Sequence, residues 1–117
     1  MKTENVILIK SKAFALRIVK LYKYLCGRKK EFVMSKQIMR SGTSIGANVR
    51  ESTRAQSMPD FISKMNIALK EAEETCYWLE LLHESNYLDD RAFNSLYNDS
   101  MELLKILASI VKTSRAA

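Results

Sequence analysis

The sequence predicts an all-α protein, an antiparallel up-down-up-down four-helix bundle, from three observations. Apolar residues recur at helical spacing along four separate segments. The chain of 117 residues contains only three Gly and one Pro, far fewer turn residues than an all-β fold needs. The connections between the four segments are short, which favours antiparallel neighbours. A chain of this length is most economically one domain, so residues 1–117 are expected to form a single bundle.

The first two helices are predicted from their apolar stripes and from the signals at their ends. The first is expected over about residues 5–26, because Gly27 followed by three cations is a plausible stop. Its core stripe consists of Phe14, Ile18, Leu21, Tyr22 and Leu25. The second helix is expected over about residues 36–55, with Ser35 as its N-cap. One face of it is lined by Ile38, Gly42, Ile45 and Val49.

The third and fourth helices have clearer start signals. The third is expected over about residues 59–83, with Ser57 as N-cap and Pro59 in the first turn. Its apolar stripe consists of Phe61, Met65, Ala68, Leu69, Ala72, Cys76 and Leu79. The fourth is expected over about residues 90–113, capped by one of the two aspartates at 89 and 90. Its face contains Phe93, Leu96, Tyr97, Leu103, Leu104, Leu107, Ile110 and Val111.

Charge is distributed unevenly along the chain. Residues 1–40 carry 11 Lys/Arg against 2 Asp/Glu, whereas residues 61–100 carry 3 against 8. Such an uneven distribution of charge suits either an anionic partner or subunits that meet basic face to acidic face.

Basic residues form a stripe on the second helix that continues into the loop before it. The stripe and loop contain Arg28, Lys29, Lys30, Lys36, Arg40, Arg50 and Arg54. With the lysines of the first helix, these cations predict contacts with the phosphates of structured RNA or DNA. The alternatives are a solvated helix face, or pairing with the glutamates of the third helix. No aromatic residue is interleaved with the basic ones, so base stacking has little support.

Some apolar residues lie off the core stripes and predict self-association. A helix that is apolar on more than one side is either central in a large core or at an interface, and four helices offer no central position. The predicted interface residues are Leu16, Ile67, Tyr77, Trp78 and Leu81.

The stretch RSGTSIGANVREST, residues 40–53, contains two of the three glycines. It lacks the Gly-Lys-Ser/Thr end of a phosphate-binding loop, and no strand precedes it. A packing role is therefore expected, in which small side chains let a neighbouring helix approach closely. Asn48 borders the apolar face and is expected to make a structural hydrogen bond to another helix. The predicted structural residues are Gly42, Ser44, Gly46, Asn48 and Glu51.

No catalytic, cofactor or metal site is predicted. The sequence has no convincing nucleophile–base set, and a ferritin-like metal site needs a second His besides His83. Cys26 and Cys76 are too few and too far apart for a zinc site or a disulfide framework. No apolar run approaches the roughly 18 residues that span a membrane, and charged residues interrupt the N-terminus, so no secretory signal is expected. The cytoplasm is the expected compartment, and the protein is expected not to be an enzyme.

Several short motifs resemble one known family. They are Gln37-Ile38-Met39-Arg40, residues 44–51 (SIGANVRE), Asp60-Phe61 and Asn66-Ile67-Ala68-Leu69. They resemble the four-helix-bundle proteins encoded in intervening sequences of bacterial 23S ribosomal RNA genes, and the accessory protein of diversity-generating retroelements looks like a relative.

The resemblance extends from about Lys10 to about Lys112. It implies a bundle that assembles into a ring, commonly a pentamer, with a positively charged surface. For the retroelement relatives it implies binding of nucleic acid and of reverse transcriptase. It implies no catalytic residue. The family often has Gly where this chain has Ser52, near the expected end of the second helix.

Overall fold

Four helices make up the fold in the computed structural model, which describes residues 2–117 and the side chains from Asn5 onward. They are α1 (Lys2–Gly27), α2 (Met34–Ser52), α3 (Met58–Glu84) and α4 (Asp90–Ala116). No strand forms within residues 2–117. The predicted all-α class with four helices is therefore confirmed.

The helices pack around one apolar core. α1 contacts α2 and α4, and α3 contacts the same two helices. Within the described part of the chain, no Cα atom of α1 lies within 8 Å of α3 and none of α2 lies within 8 Å of α4, so each of these pairs lies across a diagonal. The largest fully buried side chains come from all four helices and include Phe14, Ile18, Ile45, Met65, Leu79, Leu103 and Leu107. Burying each such side chain contributes about 1.5–3 kcal/mol, so the core is the main source of stability.

The start of α2 differs from the prediction, because a carboxylate caps it. Ser35 is buried inside the first turn and does not cap the helix. Instead Glu31 accepts hydrogen bonds from the backbone amides of Val33 and Met34, both at 3.0 Å, and of Ser35 at 2.7 Å. Lys30 has a φ of 55°, in the left-handed region, just before this carboxylate. Three amides with no carbonyl partner in the helix are thus satisfied by one side chain, and α2 begins at Met34.

The end of α2 also comes earlier than the predicted residue 55. The amides of Thr53, Arg54 and Ala55 bond to carbonyls three residues back rather than four. This tight 3₁₀-type pattern ends the α-helix at Ser52. Arg54 therefore lies in the connection and not on the helix.

The starts of α3 and α4 follow their sequence signals. The hydroxyl of Ser57 accepts a hydrogen bond from the Asp60 amide at 3.2 Å, and Pro59 lies in the first turn as predicted. Asp89 rather than Asp90 caps α4, accepting from the Ala92 amide at 2.8 Å. Both helices extend past their predicted ends, at 83 and 113, to residues 84 and 116.

The two glycines of α2 differ in how closely α1 approaches them. A Cβ atom built on Gly42 would lie 2.7 Å from Ile18 Cγ1, too close for contact. A Cβ atom on Gly46 would lie 3.4 Å from the nearest atoms of Ser11, which is ordinary contact. Close approach therefore demands glycine at position 42 and only favours a small residue at position 46.

We predict that Gly42→Ala is about 1–3 kcal/mol less stable than Gly46→Ala. Both substitutions gain about 1 kcal/mol of helix propensity, but only Gly42→Ala overpacks the core against Ile18. Urea unfolding of the two single variants measures the difference, and the shared Gly→Ala change makes each the control for the other. Equal stabilities would contradict the assignment of Gly42 as the close-contact position.

Candidate nucleic-acid interface

Most of the predicted cations lie on one exposed surface formed by α1, α2 and the connection between them. We define the basic face as Arg28, Lys29, Lys30, Lys36, Arg50 and Arg54, together with Lys12 of α1. All seven are exposed, and among the described side chains none of them has an acidic partner within 4.0 Å. Lys36 and Arg50 are separated by about 21 Å along α2 at 1.5 Å per residue. The face is therefore long enough to follow several phosphates of one strand.

A shallow groove between α1 and α2 crosses the basic face. It encloses about 310 Å³ and is lined by Leu8, Lys12, Ala15, Gly46, Ala47 and Arg50. Lys12 comes from one helix and Arg50 from the other, with the small residues of α2 between them. In the sequence Lys12 is one of several lysines of α1, and only the packing of α1 on α2 brings it next to Arg50.

The basic face has almost no carboxylate to neutralise it. Residues 5–50 contain a single acidic residue, Glu31, and its carboxylate is occupied by the three amides at the start of α2. The next one, Glu51, forms an ion pair with Lys64 of α3 at 3.0 Å. The positive charges of this surface are therefore available to bind an external anion.

Arg40 is the exception among the predicted cations. Its guanidinium donates to Glu71 Oε2 at 2.9 Å and also to Glu74, and the indole N–H of Trp78 donates to Glu74 at 2.9 Å. The hydrogen bond to Glu74 raises the pKa of Arg40. The Trp78 N–H bond, followed by the Arg40 bond, lowers the pKa of Glu74. At this position the second alternative, pairing with the glutamates of the third helix, is the arrangement found.

Two predicted structural residues of α2 make local contacts. The Ser44 hydroxyl donates to the Arg40 carbonyl at 2.6 Å, and the Asn48 side-chain amide donates to the Ser44 carbonyl at 2.9 Å. Asn48 therefore bonds within its own helix, and the expected bond to another helix was wrong. A buried polar contact between α2 and α3 is made by Ser41 and Thr75, whose hydroxyls lie 2.9 Å apart.

The predicted interface residues divide into exposed and half-buried ones. Leu16, Ile67 and Tyr77 are exposed, whereas Trp78 and Leu81 are half-buried and Trp78 packs against the core. Ile9 was missed, although it is 71% exposed. The sequence did contain a signal for Ile9, because it lies seven residues before Leu16 and therefore on the same side of α1.

One aromatic ring does lie among basic residues, contrary to the sequence expectation. Tyr24 is 40% exposed, and Lys29 Nζ lies 6.0 Å from its ring centroid. The ring also lines a cavity of about 560 Å³ between α1 and the start of α4, together with Arg17 and Lys20. The Arg17 guanidinium is held there by Asp99 at 2.6 Å.

The described residues contain neither a cluster of metal-binding side chains nor a helix that could span a membrane. No three His, Cys, Asp or Glu side chains lie close enough together to hold a metal ion in that part of the chain. No helix there has the length and apolar character that crossing a membrane requires.

Comparison with known proteins agrees with the resemblance noted in the sequence. The family model described as 23S rRNA-intervening sequence protein matches residues 3–109. The chain belongs to this family. The fold of this family member is similar to a crystal structure of a protein of unknown function from the S23 ribosomal protein family of Bacteroides thetaiotaomicron. The two share 60% identity with a TM-score of 0.93, over 94% of this chain and 98% of that one. No curated protein matches the chain.

The Arg40–Glu74–Trp78 contacts of this family member predict a pH-dependent contribution to stability. Since the pKa of Glu74 is lowered on folding, its contribution is present at neutral pH and is lost as the pH falls below the ordinary value of 4.5. Glu74→Gln should therefore cost less than about 1 kcal/mol at pH 7, and the difference from wild type should shrink by pH 3.

Urea unfolding at pH 7, 4.5 and 3 measures this difference. Glu73→Gln, an exposed neighbour on the same helix, is the matched control and should show no such trend. A Glu74→Gln difference that stays constant across the three pH values would contradict the assigned contacts.

Proposed function

We propose that this protein is a non-enzymatic homo-oligomer that binds structured RNA or DNA through phosphate contacts on the basic face. The observation that carries the proposal is the set of exposed cations without acidic partners, on a surface whose two nearby carboxylates are engaged elsewhere, Glu31 in capping α2 and Glu51 in pairing with Lys64. Phosphate contact requires only positioned positive charge, which the helices supply without a special loop. The family description ties these proteins to 23S rRNA, which makes a structured RNA the first probe.

The proposed arrangement of the helices is antiparallel, up-down-up-down. Contacts between neighbouring helices support it, because residue numbers rise along one helix as they fall along the helix that it contacts. Lys10 pairs with Glu102 and Arg17 with Asp99, and the α2–α3 and α3–α4 contacts follow the same order. In this arrangement the basic face lies on two adjacent helices, α1 and α2, and on the connection between them.

Self-association would multiply the basic face by the number of subunits. A single face presents few phosphate contacts, and several faces on one assembly bind a long nucleic acid with much higher apparent affinity when their spacing matches it. A ring, with a pentamer as the state implied by the family, would present the faces at regular intervals. The proposal places the assembly in the cytoplasm, with a reverse transcriptase as a further partner that the resemblance implies.

The second candidate function is a protein-interaction scaffold whose charged faces serve subunit or partner contacts. The pairing of Arg40 with Glu71 and Glu74 favours it, because that pairing shows a cation of the α2 stripe neutralised by protein carboxylates. In an assembly, carboxylates of a neighbouring subunit would do the same for Arg50 and Arg54.

We predict that affinity for a structured hairpin RNA falls steeply with salt. Each phosphate contact should lower the affinity about 3.5-fold for a fourfold rise in salt, so four contacts give about a 150-fold loss between 50 and 200 mM. Arg50→Glu should weaken binding at every salt concentration and reduce the slope by about one contact. Fluorescence anisotropy across the salt series measures both quantities.

Arg91→Glu is the matched control, because it makes the same charge change at an exposed position at the start of α4. It should change affinity far less than Arg50→Glu. No binding at 50 mM salt, or a flat salt response, would contradict the proposal.

A double variant Arg50→Glu/Arg54→Glu separates the two candidate functions. An intact assembly that no longer binds favours nucleic-acid binding, and loss of the assembly without a separate loss of binding favours the scaffold.

A further inference from the structure

The outer side of α1, which faces away from the core, is apolar and basic. Ile9 is 71% exposed and Leu16 is 59% exposed. They lie seven residues apart, two helical turns, and so occupy the same side of the helix. Lys20 and Lys23 are exposed beside them, and residues 5–27 contain no acidic residue. We call this surface the α1 outer face.

The outer side of α3 is apolar and acidic. Ile67 is 41% exposed and Tyr77 is 53% exposed. Glu73 and Glu84 are exposed near Tyr77, and Lys70 is the exposed cation between the two apolar residues. Of the five glutamates of the helix, Glu71 and Glu74 pair with Arg40 and Glu80 accepts a hydrogen bond from Tyr97, which leaves Glu73 and Glu84 on the outer side. We call this surface the α3 outer face.

We propose that the α1 outer face of one copy packs against the α3 outer face of a second copy. The inference rests on the self-association in the proposed function and names the two surfaces that meet. Large apolar side chains exposed on a helix side indicate a contact surface, and here the α3 outer face carries the carboxylates that the α1 outer face lacks. Pairing α1 with α1 would instead place lysines against lysines, and pairing α3 with α3 would place glutamates against glutamates.

The position of the two faces decides what kind of assembly results. Since α1 and α3 lie across a diagonal of the bundle, their outer faces point to opposite sides of one copy. Each copy then offers one face to one neighbour and the other face to a different neighbour. Such a head-to-tail interface closes into a ring when the rotation per step permits it and otherwise continues as a filament. The seven-residue spacing of Ile9 and Leu16 also suits packing of one helix along another.

Two variants, each with one altered face, test the inference. Ile9→Gln/Leu16→Gln removes the apolar contacts of the α1 outer face, and Ile67→Gln/Tyr77→Gln removes those of the α3 outer face. All four positions are exposed, so the bundle should fold, and circular-dichroism melting verifies this. Val33→Gln is the control, because Val33 is 73% exposed but lies in the connection before α2, outside both faces.

Size-exclusion chromatography with light scattering measures the mass of each species. Wild type and Val33→Gln should form the same assembly of several 13.4 kDa chains. Each double variant alone should be monomeric, with self-association at least tenfold weaker. An equimolar mixture of the two double variants should form a species of two chains and nothing larger, because only one intact α1 face can meet one intact α3 face.

Three results would overturn the inference. The first is a double variant that dimerises alone, which means that like faces pair. The second is a mixture that stays monomeric while wild type assembles, which means that other surfaces meet. The third is wild type that is monomeric at all concentrations, which removes self-association as well. None of these measurements uses nucleic acid, so a failure of RNA binding is scored separately by the salt series.

Discussion

The contact between Gly42 of α2 and Ile18 of α1 is the constraint on which the rest of this structure depends. No side chain fits between the two helices at that point, since an added Cβ would lie 2.7 Å from Ile18 Cγ1. The close approach buries Ile18 and Ile45 fully and leaves Gly46, Ala47 and Ala15 around a shallow groove. A larger spacing of α1 and α2 would separate Lys12 from Arg50 and divide the basic face into two weaker stripes. Packing in the core and charge on the surface are therefore set by the same small residues.

Electrostatic segregation gives the bundle two chemically different halves. The basic face keeps its positive charge, because the one carboxylate of residues 5–50 caps α2. Cations are neutralised where α1 meets α4, by Glu102 and Asp99, and where α2 meets α3, through Arg40 with Glu71 and Glu74 and through Glu51 with Lys64. Opposite charges on opposite sides of one small protein favour head-to-tail association of copies and also favour an anionic ligand on the basic side. The two proposals use different residues, the basic face for nucleic acid and the two outer faces for self-association.

Much of the fold could be predicted because its signals are local. Ser57 and Pro59 start α3 through hydrogen bonding and backbone geometry that involve only their neighbours, and the apolar spacing of each helix identifies its core side. The start of α2 was missed because the cap comes from Glu31, a residue three positions before the helix whose carboxylate reaches it only after the chain turns at Lys30. Asn48 was misassigned because a polar side chain beside an apolar face can bond along its own helix as easily as across to another.

The sequence by itself determined the helical class, the family, the positive charge of the first third of the chain and the residue types that make up the basic face. These follow from composition, periodicity and short motifs, which do not depend on how the helices are placed. Only the tertiary structure decided which cations pair with a carboxylate and which do not. Arg40 and Arg50 belong to one basic stripe in the sequence, yet α3 brings two glutamates to Arg40, and α1 brings a lysine and no carboxylate to Arg50. Electrostatic partners are set by distances between helices, and those distances exist only once the core has packed.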